Sequence, residues 1–148
     1  MPRTAGGTGS ARTAWGGPPP TWRTGISDAE VNGLTRSYGG QAEDGWWDRI
    51  RPHSLGWATA HSGDGTPVGF ANVAWDGGDH AFLLDPKVRL DLQRQGIATG
   101  LVRLAAEHAA AAGCEWLHVD FRDELAPFYF GACGFSPTVA GVLRLRAT

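Results

Sequence analysis

The chain has 148 residues, with 13 Lys and Arg against 15 Asp and Glu for a formal net charge of −2. That length suits one domain around one core, and 42% apolar with 19% charged residues is ordinary for a globular protein. The charge carries no footprint for nucleic acid, no apolar run reaches the ~18 residues of a membrane span, and no apolar stretch behind the N-terminus suggests a secretory signal. Cys114 and Cys133 are therefore expected to be reduced, buried thiols in a cytoplasmic protein, without the paired spacing that a zinc site requires. Lys87 is the only lysine, beside abundant Gly, Ala and Arg, which reads as coding bias.

Residues 1–20 are Gly, Pro, Thr and Ala without periodicity and are expected to form a disordered tail preceding a domain over 21–148. Residues 21–24 suit a short first strand. Ser27 and Glu30 have capping-box spacing, which predicts a helix over 28–38 stopped by Gly39-Gly40. A second helix over 42–50 carries Trp46 and Trp47. Three strand-like runs follow at 56–61, 68–75 and 80–88, divided by turn-rich segments of the kind hairpins need. Pro86 cannot donate to a ladder, so a bulge or an edge position is expected there. Residues 97–112 form the clearest helix, with Ile97, Leu101, Leu104, Ala105 and His108 on one stripe and Gly113 as the stop. A strand over 115–121, a short helix over 124–132 and a last strand over 139–145 complete an α/β (α+β) domain on one central sheet.

The chemistry concentrates between the third run and the long helix. There Gln93-Arg94-Gln95-Gly96-Ile97-Ala98-Thr99 precedes a helix start whose first N–H groups lack intrahelical partners and favour an anion. Gly96 lets a phosphate approach the backbone, and Arg94 adds a positive charge. The spacing fits neither a dinucleotide-binding fingerprint nor a P-loop.

These residues resemble the coenzyme-A motif of the GCN5-related N-acetyltransferase (GNAT) family, Gln/Arg-x-x-Gly-x-Gly/Ala, matched by Gln93, Gly96 and Ala98. The family's next motif is matched in register by Leu117, Val119, Asp123, Ala126, Tyr129-Phe130 and Gly134-Phe135. The resemblance covers residues 68–145 and implies a mixed sheet of roughly six or seven strands flanked by about four helices. It also implies acetyl-CoA as the acyl donor, a small-molecule primary amine as acceptor, direct transfer in a ternary complex, and no metal. Gln93, Arg94, Gln95, Gly96, Ile97, Ala98 and Thr99 would hold the pyrophosphate. Val88 would align the thioester, and Asp123 and Phe130 would touch the coenzyme. The alternatives are a protein or peptide acceptor, to which the Tyr-Phe order points by analogy, and an acyl-CoA sensor without turnover. A homodimer stays open.

The catalytic pattern departs from the family's. An alkyl ammonium of pKa about 10.4 must lose a proton to attack, which costs roughly 4.6 kcal/mol at neutral pH. The usual base positions hold Phe82 and Leu84, so Asp120 comes first as a substitute, then His118, then Asp85 and His80. The usual acid position holds Phe130, with Tyr129 one residue earlier as the candidate donor. Trp46, Trp47 and Trp75, with Glu43, Asp44 and Asp48 near the first pair, suit a cationic acceptor.

Overall fold

The computed structural model describes residues 13–147. Strand β1 (Thr21–Trp22) is followed by helices α1 (Asp28–Ser37) and α2 (Trp46–Ile50). Strands β2 (Ser54–His61), β3 (Pro67–Trp75) and β4 (His80–Val88) then form the meander that the turns require. Helix α3 (Ile97–Ala111) and strand β5 (Trp116–His118) come next. The sheet runs in chain order from β1 to β5, antiparallel throughout except for the parallel β4–β5 pair.

Alternation along the strands divides the core. Val73 and Leu83 face α3 and pack with Ile97, Leu101 and Ala105, whereas Phe70 faces α1 and α2 and packs with Val31, Leu34, Trp47 and Trp57. Trp47 is fully buried and meets Trp57 and Phe70 edge-on at 5.2 and 4.9 Å. Each such aromatic pair adds about 0.5–1.5 kcal/mol beyond simple burial.

The capping box forms as its spacing predicts: the Glu30 N–H donates to Ser27 Oγ at 3.1 Å, and the Ser27 N–H donates to Glu30 Oε1 at 3.0 Å. Helix α2 has no capping side chain of its own. Asp28 at the start of α1 takes that role from a distance, accepting from the Gly45 and Trp47 N–H groups, each at 2.7 Å. The two helices are thereby locked together.

Pro86 is accommodated by a bulge. Phe70 pairs with Lys87 and Asn72 with Leu84, so Ala71 faces both Asp85 and Pro86, and Asp85 takes a left-handed φ of 55°.

Four expectations need correction. Among the described residues the sheet has five strands, because residues 139–145 form none; Val139, Val142, Leu143 and Leu145 are almost fully exposed there. Gly141 inside that run weakens it, and no neighbouring strand among the described residues supplies a ladder. Strand β5 is three residues rather than seven and leaves β4 after His118. The expected helix over 124–132 is a 3₁₀ turn, Asp123–Leu125, followed by a π-helical segment, Pro127–Ala132, since Pro127 lacks the N–H that a regular α-helix would use. Of the expected disordered tail, residues 1–12 lie outside the described residues. Within 13–20, Trp15 packs against the α3 side of the core. Its indole provides the apolar area that the surrounding Gly and Pro lack.

Candidate active site

The end of β4 and the start of α3 form one unit. Gln93 Nε2 donates to the Val88 carbonyl at 3.0 Å, clipping the loop to the strand that precedes it. Arg94 and Gly96 have left-handed φ values of 64° and 93°. The first helical bond runs from the Gly100 N–H to the Gly96 carbonyl at 3.2 Å, so the N–H groups of Ile97, Ala98 and Thr99 lack intrahelical partners. Ile97 buries its side chain in the core and offers only its backbone. Arg89 is engaged by Asp91 at 2.7 Å, whereas Arg94 makes no ion pair among the described residues. Gln95 is exposed on the same loop.

Beside this unit, β5 pairs with β4 only from His80 to Phe82. Beyond that point the outer edge of β4 faces a groove of about 1350 Å³. His118, Asp120, Asp123, Phe130 and Thr99 line it, so the structure brings these expected residues together. His80 Nδ1 and His118 Nε2 lie 2.7 Å apart, and His118 stacks on Phe82 at 4.9 Å between ring centres. At that distance one ring N–H donates to the ring nitrogen of the other.

Tyr129 is placed otherwise. It is 3% exposed, packed among Phe121, Phe128 and Phe135, and burial raises its phenol above the ordinary value. Phe130, one residue on, takes the groove-facing place.

The tryptophans divide three ways. Trp46 borders a second cavity, of about 390 Å³, with Asn32, Thr35, Glu43, Asp85 and Lys87. Trp47, expected at the acceptor, is instead core, because adjacent helical residues point in different directions and Asp28 fixes which one faces inward. Trp75, also expected there, pairs with Ala81 and shares a sheet face with Val73, so it lies on the α3 side, opposite Trp46.

The second cavity contains Lys87, which sequence reasoning passed over, beside Asp85, a lesser candidate base. Lys87 Nζ donates to Thr35 Oγ1 at 2.7 Å and lies 4.8 Å from the Trp46 ring centre. Crowding by the surrounding protein lowers the Lys87 ammonium and raises the Asp85 carboxyl, with their mutual attraction opposing both shifts. The available signal was Lys87 itself, a lone lysine two residues from Asp85 in a strand.

This arrangement, a strand edge opened by a departing neighbour and leading into an uncapped helix start, offers main-chain donors to an extended ligand that carries an anion. The sequence profile of the acetyltransferase (GNAT) family matches residues 25–135, and the chain belongs to that family as a GNAT-type acyltransferase. No curated protein matches it by sequence. Among solved structures, it is similar to a GNAT-family acetyltransferase from Streptococcus pneumoniae at 20% identity and a TM-score of 0.72, over 87% of this chain and 98% of that one. It is also similar to glucosamine-6-phosphate N-acetyltransferase from Arabidopsis thaliana, at 15% identity and 0.64, over 86% and 99% of the two chains. Aminoglycoside N-acetyltransferase AAC(6')-Iy, solved in complex with CoA, is similar at 19% identity and 0.64, over 87% and 95%.

Proposed function

We propose that the protein transfers an acetyl group from acetyl-CoA to a primary amine on a small molecule, by direct transfer in a ternary complex. The observation that carries this reading is the open outer edge of β4 running into the uncapped start of α3. The N–H groups from Gln95 to Thr99, with Arg94, would hold the pyrophosphate. The end of β4 near Val88 would pair with the pantetheine arm as an added strand, and Asp123 and Phe130 would flank it. A helix terminus contributes about 0.3–1 kcal/mol per nearby charge, whereas micromolar binding needs about 8 kcal/mol, so the strand pairing supplies much of the affinity.

Acetyl-CoA supplies an activated thioester. The amine nitrogen bonds to the carbonyl carbon, the C–S bond breaks, and coenzyme A departs as a thiolate that solvent protonates. An ammonium acceptor sheds two protons in all, one before it attacks and one as the amide forms. A groove-facing base, for which Asp120 and His118 with His80 beside it are the candidates, would take them in turn and pass them to solvent. A small acceptor suits the compact second cavity better than a peptide does. Among the described residues no helix is long and apolar enough to cross a membrane. A homodimer belongs to the same reading, since the exposed apolar side chains of 139–145 and the outer edge of β5 both lack a partner strand among the described residues.

Thiol release from acetyl-CoA should appear with some members of a panel of small primary amines and not with peptides. Coenzyme A should raise the Tm of the wild type and not of Gly96→Glu. A Tm indifferent to millimolar coenzyme A would overturn the donor assignment, and release with peptides alone would overturn the acceptor class.

A further inference from the structure

The cavity between the α1–α2 connection and the β4 bulge holds two opposite charges that the protein leaves apart. Among the described residues, neither Asp85 nor Lys87 joins an ion pair. The other carboxylate on the wall, Glu43, is already held by both terminal nitrogens of Arg49 at 3.3 Å. Asp85 therefore remains as the unengaged carboxylate, held in a left-handed conformation that a non-glycine residue seldom takes. Such outliers cluster at ligand-handling sites. Lys87 has three N–H donors and spends one on Thr35; the Trp46 face covers another side of the ammonium.

We infer that the acceptor is a compact amino acid, with its carboxylate on Lys87 and its ammonium turned to Asp85. The inference rests on the acetyl-transfer reading above and narrows its acceptor. Three observations carry it. The cavity of about 390 Å³ is at the small end for ligand sites. Its walls offer one ammonium and one carboxylate that join no ion pair among the described residues, the complement of a zwitterion. A phosphate ester would bring nearly two negative charges to a wall with a single lysine beside two carboxylates, whereas a carboxylate brings one. A polyamine would meet Lys87 with like charge.

Lys87 acts here as a specificity group, and Asp85 orients the nitrogen. Asp85 lies two residues before Lys87, roughly 7 Å along the same strand, a span that one small zwitterion can bridge. Lys87 is half-buried and Asp85 exposed, so a ligand of matching charges could reach both.

The test is equilibrium calorimetry of the full chain with the common α-amino acids, β-alanine and 4-aminobutyrate, each against its own carboxamide, which keeps the amine and removes the negative charge. At least one acid should bind about tenfold or more tightly than its amide. Lys87→Met should abolish that difference, Lys87→Arg should retain most of it, and both should unfold cooperatively near the wild-type Tm. Amides that bind as well as acids, a preference that survives Lys87→Met, or no binding by any member of the panel would each overturn the inference. Acetyl-CoA titrated in the same instrument separates the two levels. A protein that takes up acetyl-CoA and acetylates neutral amines without preferring acids retains its proposed activity and loses only this acceptor class.

Discussion

Gly96 has a φ that an L side chain enters only at a cost of roughly 1–2 kcal/mol, and a β-carbon there would lie 3.5 Å from Ala14. Gly96→Ala should therefore lower the Tm by about 2–4 °C for each kcal/mol lost, in thermal unfolding without ligand, and should also weaken coenzyme A binding by calorimetry. Tyr129→Phe removes only a hydroxyl from an aromatic cluster, so kcat with saturating acetyl-CoA should stay within about twofold of wild type; a loss of a hundredfold, the scale of general acid catalysis, would place the phenol in the chemistry after all. Asp85 carries a pH signature. Its carboxyl is raised in the folded state, so the folded protein binds the extra proton, and stability falls as pH rises from the unfolded value near ~3.9 through the folded one. Asp85→Asn removes that loss. Its Tm advantage over wild type should be larger at pH 7 than at pH 3, with a constant part from the tolerance of Asn for left-handed φ. Lys87 loses some counter-charge in that variant, a smaller effect because desolvation outweighs attraction at both groups. At this scale the sequence spoke clearly wherever a residue's duty is discharged by its own backbone, as at Gly96. It misled at Trp47 and Trp75, because which way an indole faces depends on helix phase and strand parity set by distant partners.

Helix α1 was readable from Ser27 and Glu30, whose partnership spans three residues. What Asp28 does for α2 was not, since its partners lie 17 and 19 residues away. Asp28→Ala should therefore cost more than an ordinary cap. Two charge-assisted hydrogen bonds at roughly 1.5–3 kcal/mol each are removed, together with one to Asn32 at 3.2 Å, although water can replace part of this. Urea unfolding should show a markedly lower midpoint, and quenching of tryptophan emission should show α2 loosened at Trp46. Ser27→Ala, by contrast, should cost about 0.5–2 kcal/mol and leave Trp46 undisturbed. The β4 bulge was foreseen from Pro86, because a missing N–H is a local fact. That the bulge would set Asp85 and Lys87 facing a common cavity required knowing where α1 and α2 come to rest.

For the molecule as a whole, the meander, the long helix and the loop that precedes it follow from local periodicity and turn chemistry. The sheet's far side does not, because a strand over 139–145 needs a partner to exist. The exposed Val142, Leu143 and Leu145 favour association. Wild-type protein should elute as a dimer at high concentration, and Leu143→Lys should shift light-scattering masses towards 15.7 kDa. The clip from Gln93 to Val88 joins two duties that the chain could have kept separate. On the proposed reading, strand end and helix start tied by one amide would hold the diphosphate anchor and the reacting carbonyl at a set spacing. Donors whose arms are a methylene longer or shorter would seat their phosphates normally and present the carbonyl out of reach of the nucleophile.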